Sequence, residues 1–352
     1  MMKKKHVGFG IVGAGVISHF HARAISAISN AELIGIYNVN KGKADIFSNE
    51  HNCISFDTLD DMLKNPAIDI VCICTPSGSH LEPALKCIEA GKHCLIEKPF
   101  EVTTERCDQI IQAAQKTNVK IGVVFPSRFS AVNMQLRHAI EENRFGSLVL
   151  GDAYVKWSRT EAYYKSGKWR GTWQYDGGGA LMNQGIHAVD LLQWMMGPVE
   201  FVQAIAAKVR HKKIEVEDTI VATLKFSNGA LGNIECSTAV FPGAAKRIEI
   251  LGTSGTVVIE ENNLITWQFE NESPADEIVR HSYANGHAAA GGASDPAAIS
   301  FLGHQKQIED LIHAIVVDKK PFIDEIEGRK SVAIIAAIYE SARTGKRINL
   351  VS

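Results

Sequence analysis

The feature that most restricts this chain is a short apolar run, Val7 to Val12, that stops at Gly13-Ala14-Gly15-Val16-Ile17-Ser18. A G-x-G-x-x-S turn needs small residues for definite reasons. Gly13 permits the tight turn, and Gly15 lets a backbone approach a pyrophosphate at a helix N-terminus. The third position only has to let helix and strand pack closely. Alone this pattern says little, because glycine-rich turns are common. Here helical periodicity follows (His21 to Ser29), then a second strand from Glu32 to Asn38, which makes a βαβ unit of the expected size. Gly13, Gly15, Val16 and Ile17 are therefore expected to hold a dinucleotide.

The end of the second strand bears on which dinucleotide. A carboxylate there would grip the 2′-hydroxyl of NAD, but Tyr37 is followed by Asn38, then Asn40, Lys41 and Lys43. An amide removes the repulsion toward a 2′-phosphate, and lysines bind one. The reading is NAD or NADP, tilted toward NADP or dual use through Asn38 and Lys43. A polar loop with solvated lysines explains the same residues nearly as well.

Strands and helices keep alternating. Asp69–Thr75, His93–Glu97 and Lys120–Val124 read as strands; Ser79–Ala90 and Thr103–Thr117 read as helices. This pattern predicts a Rossmann-type, doubly wound parallel sheet whose ligand sits at the carboxyl ends of the strands. Thr75-Pro76-Ser77 and Glu97-Lys98-Pro99 fall at such ends. Thr75, Pro76, Ser77, His80, Glu97 and Lys98 are thus expected beside the cofactor, whereas His19 and His21 read as structural.

Past Phe125 the pattern changes. A helix (Ala131–Glu142) leads into long alternating strands: Leu148–Trp157, Val199–Val209, Asp218–Phe226, Ala230–Thr238, Lys246–Gly252 and a pair within Gly255–Phe269. Turn signals such as Ser227-Asn228-Gly229 between them predict an open, mainly antiparallel sheet with helices on one face. Its other face needs a partner, so a homodimer or homotetramer is expected. The domains are read as 1–123 for the cofactor and 124–352 for substrate and oligomerisation. His281–Ala298 reads as a long loop, and His304–Val316 and Gly328–Thr344 as closing helices.

The densest polar-aromatic stretch is Trp169-Arg170-Gly171-Thr172-Trp173, then Asp176-Gly177-Gly178-Gly179, then a helix from Ala180 to Met196. Three consecutive glycines argue for a special backbone path or a close approach. Asn183, His187 and Asp190 or Leu191 share one helix face. His187 lies near the helix start, where the dipole disfavours imidazolium and so favours a neutral base.

Composition excludes other classes. With 352 residues the chain has room for two cores, and a formal net charge of −2 gives no footprint for nucleic acid or anionic lipid. No long apolar stretch follows Lys3-Lys4-Lys5, so neither a signal peptide nor a membrane span is expected. Seven cysteines without zinc-finger spacing fit a reducing cytoplasm. The histidines at 281, 287, 304 and 313 lack metal-ligand spacing, so no metal is expected.

These motifs together, the G-x-G-x-x start, Thr75-Pro76, E-K-P, G-G-G-x-x-x-N-x-G-x-H and Glu327-Gly328-Arg329, resemble the Gfo/Idh/MocA family of glucose-fructose oxidoreductase, inositol dehydrogenase and rhizopine-catabolism-type oxidoreductases. The resemblance covers nearly the whole chain. It implies that Lys98 and His187 are catalytic, in hydride transfer between NAD(P) and a secondary hydroxyl of a sugar, cyclitol or sugar derivative. His187 would act as acid/base and Lys98 would stabilise the oxygen. Tyr164, Trp169, Arg170 and Asn183, with Lys98 and His187, would bind the substrate. The family usually carries aspartate where Asn183 stands, and an amide can orient a hydroxyl but cannot hold a charged relay. Two alternatives stand beside this reading: a reductase of dihydrodiols or other carbonyl substrates, and a non-catalytic NAD(P)-binding regulator of sugar metabolism.

Overall fold

The computed structural model describes residues 6–284 and 300–350. The chain forms two compact units, one of residues 1–126 and 301–329, the other of 127–300 and 330–352. The segment 301–329 thus joins the first unit although it follows the second in sequence.

In the first unit the strands are β1 (Val7–Val12), β2 (Ala31–Tyr37), β3 (Ile54–Phe56), β4 (Ile70–Ile73), β5 (His93–Ile96) and β6 (Ile121–Val123). They lie in the order β3-β2-β1-β4-β5-β6 with every pairing parallel. The order turns back between β1 and β4, where open α/β sheets hold their ligands. Helices α1 (Val16–Ser26), α2 (Lys41–His51), α3 (Leu59–Lys64), α4 (Leu81–Glu89) and α5 (Thr104–Ala114) alternate with the strands. The core joins Phe9, Ile11, Ile25, Ile36 and Phe47 to Ile308 and Leu311. The Phe125 N–H donates to Gln307 Oε1 at 3.0 Å, which ties that late segment to the strand ends.

The structure differs from the sequence expectation around the glycine turn, and it adds β3 and α3 where no element was expected. Helix α1 begins at Val16, directly on the glycine turn, and ends at Ser26 rather than Ser29. The stretch from Asn40 is not a loop: Asn40 caps α2 by accepting the Lys43 N–H, so Lys41 and Lys43 sit in its first turn.

The second unit contains α6 (Ala131–Glu141), β7 (Leu148–Lys156), α7 (Glu161–Lys165), a π-helical turn (Ala180–Gly185), α8 (Ile186–Met196), β8 (Val199–Ala207), β9 (Thr219–Phe226), β10 (Leu231–Ser237), β11 (Arg247–Gly252), β12 (Gly255–Glu260), β13 (Asn263–Phe269) and α9 (Pro274–Tyr283). The first unit then adds α10 (Leu302–Val316), and α11 (Glu325–Thr344) and β14 (Ile348–Asn349) follow. The eight strands order as β13-β12-β11-β7-β10-β9-β8-β14. The sheet is mainly antiparallel, as expected, but β7 and β10 at its centre run parallel. Hairpin signals between sequence neighbours could not announce that pair, because β8 and β9 intervene.

Along β9 the residues Ile220, Ala222, Leu224 and Phe226 are buried while Val221 is 47% exposed, the period-2 pattern of a sheet with one covered face. Its outer face also carries Ile205 and Leu231, 78% and 52% exposed. The loop expected from His281 is helical as far as Tyr283, and the rest of that expectation, including His287, falls on residues outside those described. Among the described residues no helix is long and apolar enough to cross a membrane. All seven cysteines are free.

Candidate active site

The carboxyl edge of the first sheet is built by the glycine turn. Gly13 has φ +102°, and a Cβ there would come within 2.6 Å of the Cys74 carbonyl oxygen, so the turn tolerates only glycine. Gly15 precedes α1 with no side chain capping the helix, and a Cβ on it would meet nothing within 4 Å. Val16 beside it is 62% exposed and Ile17 half-buried. The first amides of α1 therefore face an open edge, the setting that suits a pyrophosphate. Ser18 fills the third motif position fully buried, its hydroxyl donating to the Gly15 carbonyl at 2.6 Å.

Asn38 has a task of its own. Its Oδ1 accepts the Ala14 N–H at 3.2 Å and its amide donates to the Asn40 carbonyl at 3.0 Å, which ties the glycine turn to the end of β2. Lys41 is paired with Asp57 at 2.9 Å and Asp45 at 3.2 Å, and Lys43 is exposed.

The strand-end loops are laced by His80. Its Nε2 lies 3.1 Å from the Thr75 carbonyl and its Nδ1 2.9 Å from that of Pro99, so both nitrogens are engaged by the chain itself. Thr75 Oγ1 donates to the Ser79 carbonyl at 2.9 Å, Pro76 is half-buried and Ser77 buried. Lys98 is half-buried on a cis peptide to Pro99. Glu97 behind it is buried, with Oε1 2.8 Å from His21 Nε2 and 3.6 Å from His304 Nε2, and Oε2 accepting the Lys98 N–H at 3.1 Å. Burial alone would raise the Glu97 carboxyl, but hydrogen bonds from His21 and His304 hold it well below the ordinary range. Burial lowers His21 against the pull of Glu97. The ligand-capable atoms of His21, Glu97 and His304 lie within 4.8 Å of one another, a cluster that sequence spacing could not reveal because its members come from three distant segments.

In the second unit, the run expected as one α-helix from Ala180 opens with a π-helical turn, and α8 starts only at Ile186. His187, half-buried, therefore sits well inside a continuous helical run. The helix-end dipole argument made from the sequence does not apply to it, since that effect fades within the first turn. Widened turns of this kind recur at functional sites.

The glycines before it are explained by what approaches them. A Cβ on Gly178 would lie 2.2 Å from the Tyr339 hydroxyl, and one on Gly179 would lie 1.8 Å from the Glu217 carbonyl. Glu217 accepts the N–H groups of Gly179 and Leu181 at 3.0 and 2.9 Å, and the Tyr339 hydroxyl donates to it at 3.0 Å. This buried carboxylate organises the start of the π turn. Burial pushes its pKa up to about 7, against the opposing hydrogen bonds.

That shift has a sign that can be checked. Between the ordinary value and about 7 the folded chain holds this proton and the unfolded chain does not, so stability falls as pH rises through that window. The swing is on the order of 3 kcal/mol. Urea unfolding at pH 5 and pH 8 should show it, and Glu217→Gln should flatten the slope. An equal slope in both proteins would count against it.

The polar cluster around Asn183 is assembled from α7, the glycine segment and the π turn. Asn183 Nδ2 donates to Asp176, whose other oxygen accepts the Gly171 N–H at 2.8 Å. Asn183 Oδ1 accepts from Gln184 at 2.7 Å and from the Tyr163 hydroxyl at 3.4 Å. That hydroxyl accepts from Arg170 Nη1 at 2.6 Å and from Gln184 at 2.8 Å. The Arg170 guanidinium stacks 4.3 Å from the Tyr163 ring and 4.5 Å from Trp169. Tyr164 instead bonds Thr238 at 2.7 Å and faces His211. Burial raises the Tyr163 phenol. Sequence reasoning missed Tyr163, Asp176 as a partner, Glu217 and Tyr339. Only the run of glycines hinted that something presses on that backbone. Asp190 is engaged by Arg128, its Oδ1 2.7 Å from Nη2.

An open helix N-terminus on a 3-2-1-4-5-6 sheet, joined to a domain with a large antiparallel sheet, is the architecture of a two-domain dinucleotide-binding protein. Residues 7–125 match the oxidoreductase family with an NAD-binding Rossmann fold, and residues 133–258 match the GFO/IDH/MocA C-terminal domain. The chain belongs to the Gfo/Idh/MocA family, and it is an NAD(P)-dependent oxidoreductase. Among solved structures it is similar to the WlbA dehydrogenase from Bordetella pertussis in complex with NADH and UDP-GlcNAcA, 34% identical, with 100% of both chains covered and a TM-score of 0.92. The WlbA dehydrogenase from Chromobacterium violaceum, also solved with NADH and UDP-GlcNAcA, is 32% identical over 100% of this chain and 97% of that one, with a TM-score of 0.89. The UDP-N-acetylglucosamine 3-dehydrogenase of Acidithiobacillus ferrooxidans is 28% identical over 93% of this chain and 95% of its own.

Proposed function

We propose that this protein oxidises a secondary hydroxyl on the sugar ring of a nucleotide-activated, acidic amino sugar, with NAD as its cofactor. The observation that carries the reading is full-length likeness to a dehydrogenase solved with NADH and UDP-GlcNAcA. The hydrogen-bonded cluster of Asp176, Asn183, Tyr163, Gln184 and Arg170 supports it, because such a surface suits a polyol better than a flat apolar ligand.

In this reading the glycine turn and the first amides of α1 would hold NAD, which would supply the acceptor for the hydride leaving the carbinol carbon. His187 takes the hydroxyl proton, so the carbon–hydrogen bond breaks as the carbonyl forms. Lys98 donates a hydrogen bond to the same oxygen and steadies its developing negative charge. Asn183 orients a hydroxyl, and the carboxylate that the family usually carries at that position is supplied next to it by Asp176. Residues 1–123 serve the cofactor. Residues 124–352, apart from 301–329, which belong to the first unit, serve the substrate and, through the outer sheet face with Ile205, Val221 and Leu231, a homodimer or homotetramer. A monomeric mass by light scattering would remove that last assignment.

NAD is favoured because both WlbA dehydrogenases are solved with NADH. Of the two residues behind the NADP reading, Asn38 is engaged by the Ala14 N–H and the Asn40 carbonyl, which leaves Lys43 for a 2′-phosphate. The test follows reduced nicotinamide with UDP-GlcNAcA, UDP-GlcNAc, inositol and glucose 6-phosphate, each with either cofactor. Turnover of the acidic nucleotide sugar is expected, with kcat/KM for NAD at least about tenfold above NADP. Tight NAD binding without turnover of any of them would replace this reading with that of a regulator.

A further inference from the structure

The β8–β9 loop (residues 208–218) and the segment around α7 enclose a cavity of about 170 Å³ in the second unit. Its walls include Tyr164, Lys165, Arg170, His211, Lys213 and Glu215. The loop is fixed rather than slack. Asp218 accepts the backbone N–H groups of Val209, Arg210 and His211 at 2.8, 2.7 and 2.7 Å. The Glu215 N–H donates to the Gly171 carbonyl at 2.9 Å, and its carboxylate accepts the Trp173 N–H at 3.0 Å.

On this fixed backbone His211 is only 3% exposed, with its ring 4.7 Å from that of Tyr164. Neither of its nitrogens meets a hydrogen-bond partner among the described residues, and the Nε of Arg170 is likewise buried and unmet. Buried donors without acceptors are costly and uncommon, so their presence on one cavity wall calls for an acceptor from outside the chain. The charge on the wall indicates what kind. Lys165 is offset by Glu161 at 3.3 Å, which leaves Arg170 and Lys213 against the single carboxylate of Glu215. Unmet N–H donors beside surplus positive charge suit an anionic oxygen group, which forms the stronger, charge-assisted hydrogen bonds.

We propose that this cavity receives the anionic oxygen group of the substrate, phosphate or carboxylate, with His211 and Arg170 as donors and Lys213 at the rim. The inference rests on the nucleotide-sugar reading, whose substrate carries both a diphosphate and a uronate. It assigns specificity to the β8–β9 loop, which the reaction chemistry itself does not use.

Calorimetric titration of the full-length protein with UDP, inorganic pyrophosphate and D-glucuronate tests it. His211→Leu and the exposed-site variant Lys213→Ala should each weaken binding at least tenfold, with NADH affinity unchanged as the check on folding. Sensitivity with UDP and pyrophosphate identifies the phosphates as the ligand, and sensitivity with glucuronate alone identifies the carboxylate. Both results support the cavity as an anion site. Binding of every probe to both variants as to wild type, or binding of none, overturns it. The two readings fail separately. Oxidation of the nucleotide sugar with unchanged KM in both variants sinks the cavity and leaves the function. Variant-sensitive UDP binding without turnover of any sugar does the reverse.

Discussion

Replacing His187 by alanine is expected to lower kcat by roughly 10²–10³-fold while NADH affinity stays within about twofold. The size follows from the role. A positioned base acts on a proton that moves only in the transition state, so its loss appears in kcat rather than in cofactor binding. His187 is half-buried on α8 of the second unit, whereas the glycine turn and α1 belong to the first. Truncation at the imidazole therefore changes no residue of the first unit, to which the proposal assigns the dinucleotide. Steady-state kinetics at saturating substrate, with fluorescence titration of NADH on the same preparation, separates the two quantities. A kcat within about threefold of wild type would transfer the base role to another residue. A parallel loss of NADH affinity would mean that the substitution had disturbed the fold.

The parts legible in the sequence are those whose physics is local. The strand, glycine turn, helix and second strand at the start follow from residues a few positions apart, and they lie where expected. The long strands of the second half announced themselves by alternation. Helix α2 did not, because only Ala44, Phe47 and Ser48 are buried on it and its apolar stripe is too thin to show. The site was legible as residue types rather than as a network. Asn183 and His187 could be picked out, but Asn183's neighbour Asp176 is held by a turn that no periodicity encodes. Glu217 meets Gly179 and Leu181 across nearly forty positions, and Tyr339 arrives from the C-terminal helix. The three glycines recorded that crowding without naming its source. Asp190 is a further case. Its place on the His187 face did not name its partner, because Arg128 lies 62 positions away in sequence.

Removing that aspartate should be the most destabilising single change described here. Arg128 is 1% exposed and Asp190 0%, joined by two hydrogen bonds, Nε to Oδ2 at 2.9 Å and Nη2 to Oδ1 at 2.7 Å. The guanidinium also lies 5.3 Å from the Trp194 ring centroid, and Ser331 donates to Oδ1 at 3.4 Å. Asp190→Ala leaves a permanently charged group inside the second unit without its counter-ion, which costs about 3–5 kcal/mol. Set against a total stability of about 5–15 kcal/mol, that is enough to lower Tm by many degrees or to prevent folding at growth temperature. The cost belongs to the orphaned charge rather than to the pair. Arg128→Met combined with Asp190→Leu should therefore recover most of the loss, because an apolar pair of similar volume removes two desolvation penalties together. Both carboxylate oxygens of Asp190 are engaged with Arg128, so the double variant should also keep kcat within about tenfold of wild type, as a residue that holds the helix rather than the proton would. Urea denaturation of both single variants and the double, read with kcat of the double, decides the point. A double variant as unstable as Asp190→Ala would mean that packing around Trp194, not the unpaired guanidinium, sets the cost. A stable double variant with kcat reduced as far as in His187→Ala would instead place Asp190 in the proton transfer itself.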